Sequence, residues 1–135
     1  MTELIAKCPC GAAQLRIGAD SVAQFYCHCG DCRAVHGGAY APEALYPARA
    51  VEVTGETIGF TLKRTERVSC AKCGARLYAD LPRIGLKGIN GTLLPDFRAE
   101  FHMHCREAVL PVVDELPHYA KKPAAFGGED TLADW

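Results

Sequence analysis

The sequence predicts a mainly β protein made of small antiparallel sheets, and three observations support this prediction. Short segments alternate apolar and polar residues, the period of a half-buried strand; Ile58, Phe60 and Leu62 alternate with glycine and threonine, for example. No segment keeps a helical period of apolar residues over three turns. Seven of the eight cysteines lie in three short clusters, and predicted strands flank the first and third clusters.

The N-terminal part of the chain predicts a hairpin around the first cysteine cluster. Residues 4–7 form a short strand that leads into Cys8-Pro9-Cys10-Gly11, where glycine can adopt the positive φ of a tight turn. Leu15 and Ile17 alternate with polar residues on the returning strand. Residues 22–26 then run extended into the second cluster.

Small residues dominate the segment that follows the second cluster. Residues 34–39 predict a flexible loop with room for one helical turn over residues 34–37. Gly37 and Gly38 would let the backbone of this loop approach a ligand closely.

The same alternation predicts further strands along the rest of the chain. They cover residues 51–54, 58–62, 67–70, 77–81 and 97–103. The alternation of the last strand continues through His104, so His102 and His104 share its polar face. Proline, glycine and charge dominate from Pro117 onwards, so we expect one domain over residues 1–120 and a loose or packed-over tail over residues 121–135.

The composition indicates which kinds of partner to expect and in which compartment the protein works. The 135 residues carry a formal net charge of −1 with acids and bases interspersed, which gives no basic surface for nucleic acid or an acidic membrane. The sequence has no apolar run of signal-peptide or membrane-span length, so the expected location is cytoplasmic. A reducing compartment favours metal binding over disulfides for clustered cysteines.

The two outer cysteine pairs predict one closed metal site. Cys8 and Cys10 form the first pair, Cys70 and Cys73 the second, and a glycine follows each pair as in a zinc ribbon. Four protein ligands close a tetrahedral site, which is then structural. The pairs are far apart in sequence, so metal bound there contributes directly to folding free energy.

The middle cluster, Cys27-His28-Cys29-Gly30-Asp31-Cys32-Arg33, supplies only three thiols. A site with three protein ligands leaves one position for water or substrate. Cys29 and Cys32 also form a Cys-x-x-Cys pair, so a dithiol redox centre is an alternative, although the βαβ context of thioredoxin is absent.

Six other residues each have a purely structural interpretation as well as a functional one. His28 could serve beside the metal or lie on the surface, and His36 could be an acid–base group or simply solvent-exposed. Cys105 is typical of a small buried hydrophobe. Tyr26 and Tyr40 fit the edge of the core better than a pocket, and His104 fits a polar strand face.

Taken together, Cys-x-Cys-Gly, Cys-His-Cys-x-x-Cys-Arg and Cys-x-x-Cys-Gly, in this order, resemble the glutathione-dependent formaldehyde-activating (GFA) family, which includes centromere protein V. The resemblance covers roughly residues 4–120, including the late histidine-rich strand and the stretch 114–117.

The resemblance implies a β-tent fold and two zinc sites. Cys8, Cys10, Cys70 and Cys73 match the structural ligands, and Cys27, Cys29 and Cys32 match a second site that is the candidate for catalysis and is expected to be the more labile. The founding activity of the family is S-(hydroxymethyl)glutathione synthase, a carbon–sulfur lyase in its reverse sense.

On this basis we expect an enzyme that joins a small thiol such as glutathione to formaldehyde or another small aldehyde. Cys27, Cys29, Cys32 and His36 are the expected catalytic residues, and Arg33, Gly37 and Gly38 the expected substrate-binding residues. A non-catalytic zinc-binding module and a dithiol redox protein are the alternatives, and the sequence leaves the oligomeric state open.

Overall fold

The computed structural model describes residues 3–135 and confirms the prediction of a mainly β fold: strands make up 40% of the chain and helices 17%. Its contacts divide the chain into two compact units. The first unit contains the residues up to 23 and residues 44–97, and the second contains residues 24–43 and 98–135. The predicted boundary between a domain and a tail at residue 120 stays a prediction.

Ten strands and one α-helix follow one another along the described residues. The strands are β1 (Leu4–Lys7), β2 (Gln14–Ile17), β3 (Ala23–Cys27), β4 (Ala41–Pro47), β5 (Val51–Thr54), β6 (Thr57–Leu62), β7 (Thr65–Cys70), β8 (Arg76–Leu81), β9 (Leu86–Asn90) and β10 (Phe101–Met103). The α-helix α1 is Gly30–His36, and short 3-10 helices cover Ala48–Ala50, Pro82–Ile84, Gly91–Leu93, Cys105–Glu107 and Ala124–Phe126. None of these helices is long and apolar enough to cross a membrane.

A three-stranded antiparallel sheet in the first unit places the first cysteine pair. Strand β2 lies between β1 and β5, with Leu15 opposite Ala6 on one side and Val53 on the other. Leu15 and Ile17 are fully buried, so the alternation in this hairpin faces the core as predicted.

The larger sheet of the first unit runs in the order β4, β9, β8, β7, β6, and its strands from β9 to β6 are antiparallel neighbours. Leu77 of β8 and Ile89 of β9 are fully buried in the same core as Leu15. Strands β4 and β9 were not predicted from the sequence, because alanines and prolines in β4 and Gly88 in β9 obscure the period of two.

Strand β6 has the predicted alternation but not the burial that alternation usually implies. It is the edge strand of its sheet, and all six of its residues are exposed. Ile58, Phe60 and Leu62 lie on one face and are 46%, 70% and 37% exposed.

In the second unit, β10 pairs in parallel with β3. The helix α1 corrects the prediction of a flexible loop over residues 34–39. Cys29 caps its N-terminus by accepting a hydrogen bond from the Cys32 N–H, and Gly37, at φ 75°, ends it by donating its N–H to the Arg33 carbonyl. At seven residues the helix is too short to show a periodic signal.

The predicted strand over residues 97–103 is wrong in extent and in facing. Only Phe101–Met103 is a strand, and His102 on the predicted polar face is fully buried. Both ring nitrogens of His102 take part in hydrogen bonds, which makes its burial possible. His104 leaves the strand with a φ of 55°, so the two histidines do not continue one strand face.

Candidate metal centres

The four outer cysteines come together in the first unit. Their Sγ atoms all lie within 4.8 Å of one another, with 3.5 Å from Cys8 to Cys10 and 3.7 Å from Cys10 to Cys70. A tetrahedral zinc ion with Zn–S bonds of about 2.3 Å separates its sulfurs by about 3.8 Å. None of the four forms a disulfide. The donor set and its spacing therefore fit a metal ion closed by four protein ligands.

Each pair sits in a turn that a glycine closes by a hydrogen bond back to the first cysteine, over three residues in the first turn and four in the second. The N–H of Gly11 donates to the Cys8 carbonyl at 3.0 Å, and the N–H of Gly74 donates to the Cys70 carbonyl at 2.9 Å. Both glycines have positive φ, 78° and 77°. Backbone N–H groups also point at the sulfurs, including that of Ala13 on Cys8 Sγ at 3.3 Å. The turns therefore orient the thiols and stabilise their ionised form.

Hydrogen bonding distributes the protons unevenly within this first cluster. The N–H of Ala13 lowers the pKa of the Cys8 thiol to about 6. The N–H of Ala12 lowers the pKa of Cys10, but the neighbouring Cys8 and burial outweigh this and raise it to about 11. The cluster thus carries negative charge at neutral pH, as a site for a divalent cation requires.

The three middle cysteines form a second cluster, at the junction between β3 and α1. Cys27 ends the strand, Cys29 caps the helix and Cys32 lies in its first turn, and their Sγ atoms are within 4.8 Å of one another. Cys27 and Cys32 are buried, whereas Cys29 is partly exposed. Three converging thiols could hold a metal ion and leave one of its positions to another ligand.

The negative charge of the second cluster is concentrated on Cys29. Hydrogen bonds from the Cys27 and Cys32 thiols lower the pKa of Cys29 to about 2, and the Cys32 N–H at the helix start adds to this effect. The same contacts with Cys29 and Cys32 raise the pKa of Cys27 well above its usual range. The partly exposed sulfur is therefore also the ionised one.

Glu43 on β4 is a member of this site that sequence reasoning missed. Its Oε1 lies 3.7 Å from Cys32 Sγ, and its charge is among the causes that raise the pKa of Cys27 and Cys32. No pattern in the sequence predicted Glu43 as a site residue, because it lies in a strand that was not predicted and outside the cysteine motif.

The other predicted site residues occupy α1 and its C-terminal cap. Arg33 donates its Nε to the His28 carbonyl at 3.2 Å, which holds its side chain against the start of the helix. His36 is the last helical residue, about 6 Å along the helix axis from Cys32 at 1.5 Å per residue. Gly37 caps the helix and Gly38 follows it in an exposed position. The roles predicted for these residues stay predictions.

A third cluster in the second unit, of three histidines and an aspartate, was also missed. His28 Nε2 and His102 Nδ1 are joined at 2.8 Å, and His102 Nε2 donates to Asp114 Oδ2 at 2.7 Å. His118 Nε2 lies 2.9 Å from Asp114 Oδ1. Burial lowers the pKa of His28 to about 4, so that ring is neutral. Burial raises the pKa of Asp114, but the His102 hydrogen bond and other contacts lower it overall, so Asp114 is ionised.

The family model described as "Glutathione-dependent formaldehyde-activating enzyme" matches residues 3–107, which is most of the chain and includes all seven clustered cysteines. The chain belongs to the GFA family. Asp114 and His118 lie beyond the part that the GFA model matches.

No curated protein sequence matches the chain significantly. Among solved structures, the crystal structure of a Rhodobacter sphaeroides protein is similar, with a TM-score of 0.58 and 17% sequence identity. The similarity covers 70% of this GFA-family chain and 91% of the other chain, and it supports the fold alone.

Proposed function

We propose that this protein catalyses the addition of a small thiol such as glutathione to formaldehyde or another small aldehyde, as S-(hydroxymethyl)glutathione synthase does. The observation that carries the proposal is the second cluster, where three thiols converge around an ionised, partly exposed Cys29 and no fourth cysteine closes the site. Membership of a family described as glutathione-dependent and formaldehyde-activating supports this choice of substrates.

We assign zinc to both cysteine clusters, because thiolate sets of this kind suit zinc. Cys8, Cys10, Cys70 and Cys73 would hold a structural ion, and Cys27, Cys29 and Cys32 the ion of the reaction site. When bound at the second site, zinc supplies a Lewis acid that ionises a coordinated thiol and stabilises negative charge on oxygen.

The reaction forms one carbon–sulfur bond and moves one proton. The thiol sulfur attacks the carbonyl carbon of the aldehyde, and the thiol proton ends on the former carbonyl oxygen. Glu43 is placed to hold that proton in transit, because its carboxylate lies 3.7 Å from Cys32 Sγ. His36 at the far end of α1 is the alternative acid–base group.

Binding of glutathione would rely on charge as well as on sulfur. Glutathione carries two carboxylates, and Arg33 is the cation next to the second cluster. The bond from Arg33 Nε to the His28 carbonyl fixes the guanidinium at the helix that carries Cys29 and Cys32. The exposed Gly38 beyond the helix cap leaves room for the peptide backbone of the substrate.

The reaction also proceeds without a catalyst, so the test must measure a rate of exchange. We would follow exchange between ¹³C-formaldehyde and its glutathione adduct by NMR, with wild type, Cys29→Ser and the control Cys105→Ser, whose thiol lies outside both clusters. The proposal expects faster exchange with wild type and with Cys105→Ser, and the uncatalysed rate with Cys29→Ser. Wild-type protein that leaves the uncatalysed rate unchanged would favour a non-catalytic zinc-binding module.

One observation favours a second candidate, a dithiol redox centre. The thiol of Cys29 caps α1 and accepts the Cys32 N–H at 3.2 Å, as in a reactive Cys-x-x-Cys pair. Reduction of insulin by the protein, measured with zinc present, would support this function. Zinc bound at Cys29 and Cys32 would block both sulfurs, so activity that persists would mean that the pair stays free to act as a dithiol.

A further inference from the structure

A second kind of ligand set, without cysteine, lies in the second unit. His102 on β10 and the downstream residues Asp114 and His118 direct two imidazole nitrogens and a carboxylate toward one another. We propose that these three side chains bind a divalent transition-metal ion, at a third site that is separate from both cysteine clusters and does not depend on the proposed reaction.

The distances within this set are those of a nearly assembled site. Asp114 places Oδ2 at 2.7 Å from His102 Nε2 and Oδ1 at 2.9 Å from His118 Nε2. Ligand atoms around a tetrahedral ion with bonds of about 2.0–2.2 Å lie roughly 3.4 Å apart. Metal binding would therefore replace the His102 proton and widen the existing contacts by roughly 0.5–0.7 Å.

An unsatisfied nitrogen points to the same conclusion independently. His118 Nε2 is inaccessible to solvent, and although it is close to Asp114 it is not aligned for a hydrogen bond with any described residue. Leaving a buried imidazole nitrogen in this state is unfavourable. A metal ion would satisfy the nitrogen in the tautomer protonated at Nδ1, in which Nε2 presents its lone pair.

The surroundings hold the ligands in place and leave a route to solvent. His102 is fully buried, and His28 holds its other ring nitrogen at 2.8 Å, the outer support that metal-binding histidines usually have. The N–H of Leu116 donates to Asp114 Oδ1 at 3.1 Å. The side chains of Asp114 and His118 remain 29% and 16% exposed, which gives an ion access from that side.

The ligand chemistry selects a class of metal. Two imidazoles and one carboxylate suit Zn²⁺, Fe²⁺ or Co²⁺ and leave positions open for water, whereas the thiolate clusters prefer softer metal ions. The third site would thus differ from the cysteine sites in the metal ions it prefers, and metal binding there would be visible spectroscopically.

Cobalt titration of protein whose cysteine sites already hold zinc tests the proposal. We expect one extra Co²⁺ per chain, with weak visible bands and without the sulfur-to-cobalt charge-transfer band of a thiolate site. Asp114→Asn and His118→Gln should weaken this binding at least tenfold. Glu115→Gln, which removes the adjacent exposed carboxylate, should leave it unchanged.

Two results would overturn the third site. One is wild-type protein that binds no ion beyond those held by cysteine, which would leave Asp114 as a hydrogen-bonded clamp between two histidines. The other is binding that Asp114→Asn and His118→Gln leave as strong as in wild type. Because wild-type stoichiometry decides the first case, a variant that folds poorly cannot hide the answer.

A different observation, the exposed edge strand β6, carries a second inference. Its apolar face of Ile58, Phe60 and Leu62 is exposed, and an edge strand presents backbone groups ready to pair with another strand. We infer that β6 pairs antiparallel with β6 of a second copy of this chain about a two-fold axis.

The side chains of β6 are complementary to themselves in one register. An axis at Phe60 places this ring opposite Phe60 of the second copy, and places Ile58 opposite Leu62 on the same face. Glu56 precedes the strand and Lys63-Arg64 follow it, so each acid lies toward the basic turn of the other copy. This match of charge at both ends favours a second copy over an unrelated partner.

Sedimentation equilibrium of the full chain tests the pairing. We expect a wild-type dimer, a monomer for Phe60→Glu, and a dimer for Ile84→Glu, which adds the same charge at another exposed apolar residue of the first unit. A wild-type monomer at high concentration, or a Phe60→Glu dimer as tight as wild type, would overturn the inference.

Discussion

Cys29 serves two purposes in one atom, because its sulfur belongs to the second cluster and also caps helix α1. Serine caps helices as well as the best residues do, so Cys29→Ser removes the thiolate and keeps the cap. We expect the free energy of unfolding to change by less than about 1 kcal/mol while catalysed formaldehyde exchange is lost. Denaturant unfolding beside the exchange assay checks both halves, and unfolding of this variant would show that the middle cluster is structural.

Cys73→Ser is the matched change in the other cluster, and its expected effect is the opposite. Cys73 helps to join the Cys8 turn to the Cys70 turn, so a metal ion there stabilises the fold directly. We expect a loss of several kcal/mol in the free energy of unfolding. A fully stable Cys73→Ser protein in the same denaturant titration would contradict a structural role.

Cys105 differs from the clustered cysteines in its chemistry. Burial, with a contribution from Asp114, raises the pKa of its thiol to about 12, so the thiol stays protonated at neutral and moderately alkaline pH. In protein from which only the metal of the second cluster has been removed, we expect iodoacetamide at pH 8 to modify Cys29 well before Cys105. Mass spectrometry of peptides gives the order, and early modification of Cys105 would show that its environment is open.

At the scale of the elements, the turn at Gly55 between β5 and β6 supports the first cysteine turn. Gly55 has a φ of 94°, and a Cβ there would collide with the Ala12 carbonyl and come within 2.8 Å of Ala13 Cα. Both alanines follow Cys10 closely in the sequence. Gly55→Ala should therefore cost about 1–3 kcal/mol more than Gly85→Ala, which also has positive φ but open space around it. Thermal unfolding and zinc content of both variants test this, and equal losses would refute the contact.

The same elements show what the sequence could and could not predict. Alternation predicted β2, which buries Leu15 and Ile17, and β8, which buries Leu77, but it could not tell that the edge position of β6 leaves an apolar face exposed. It missed α1 because seven residues hold less than two full periods. The helix begins and ends at two capping residues, Cys29 and Gly37, and their backbone conformations are seen only in the folded chain.

The whole molecule shows why some site residues were predictable. The seven clustered cysteines were found because a metal turn fixes ligand spacing along the chain. Glu43 reaches the second cluster from a neighbouring strand, and Asp114 reaches His102 from a segment without regular structure. Such contacts leave no local pattern, so only the folded chain reveals them.

Graded removal of metal tests the division of labour across the whole chain. Cys10 and Cys70 are 60 residues apart, so the first ion closes a long loop, whereas the second ion binds three local ligands and closes none of comparable length. A weak chelator should therefore remove zinc from the second cluster first, abolish formaldehyde exchange and leave the far-ultraviolet circular dichroism unchanged. A stronger chelator should then remove the remaining cysteine-bound zinc and lower the melting temperature sharply. Loss of structure together with the first zinc released would contradict this order, because it would make the three-thiol cluster the one that holds the fold.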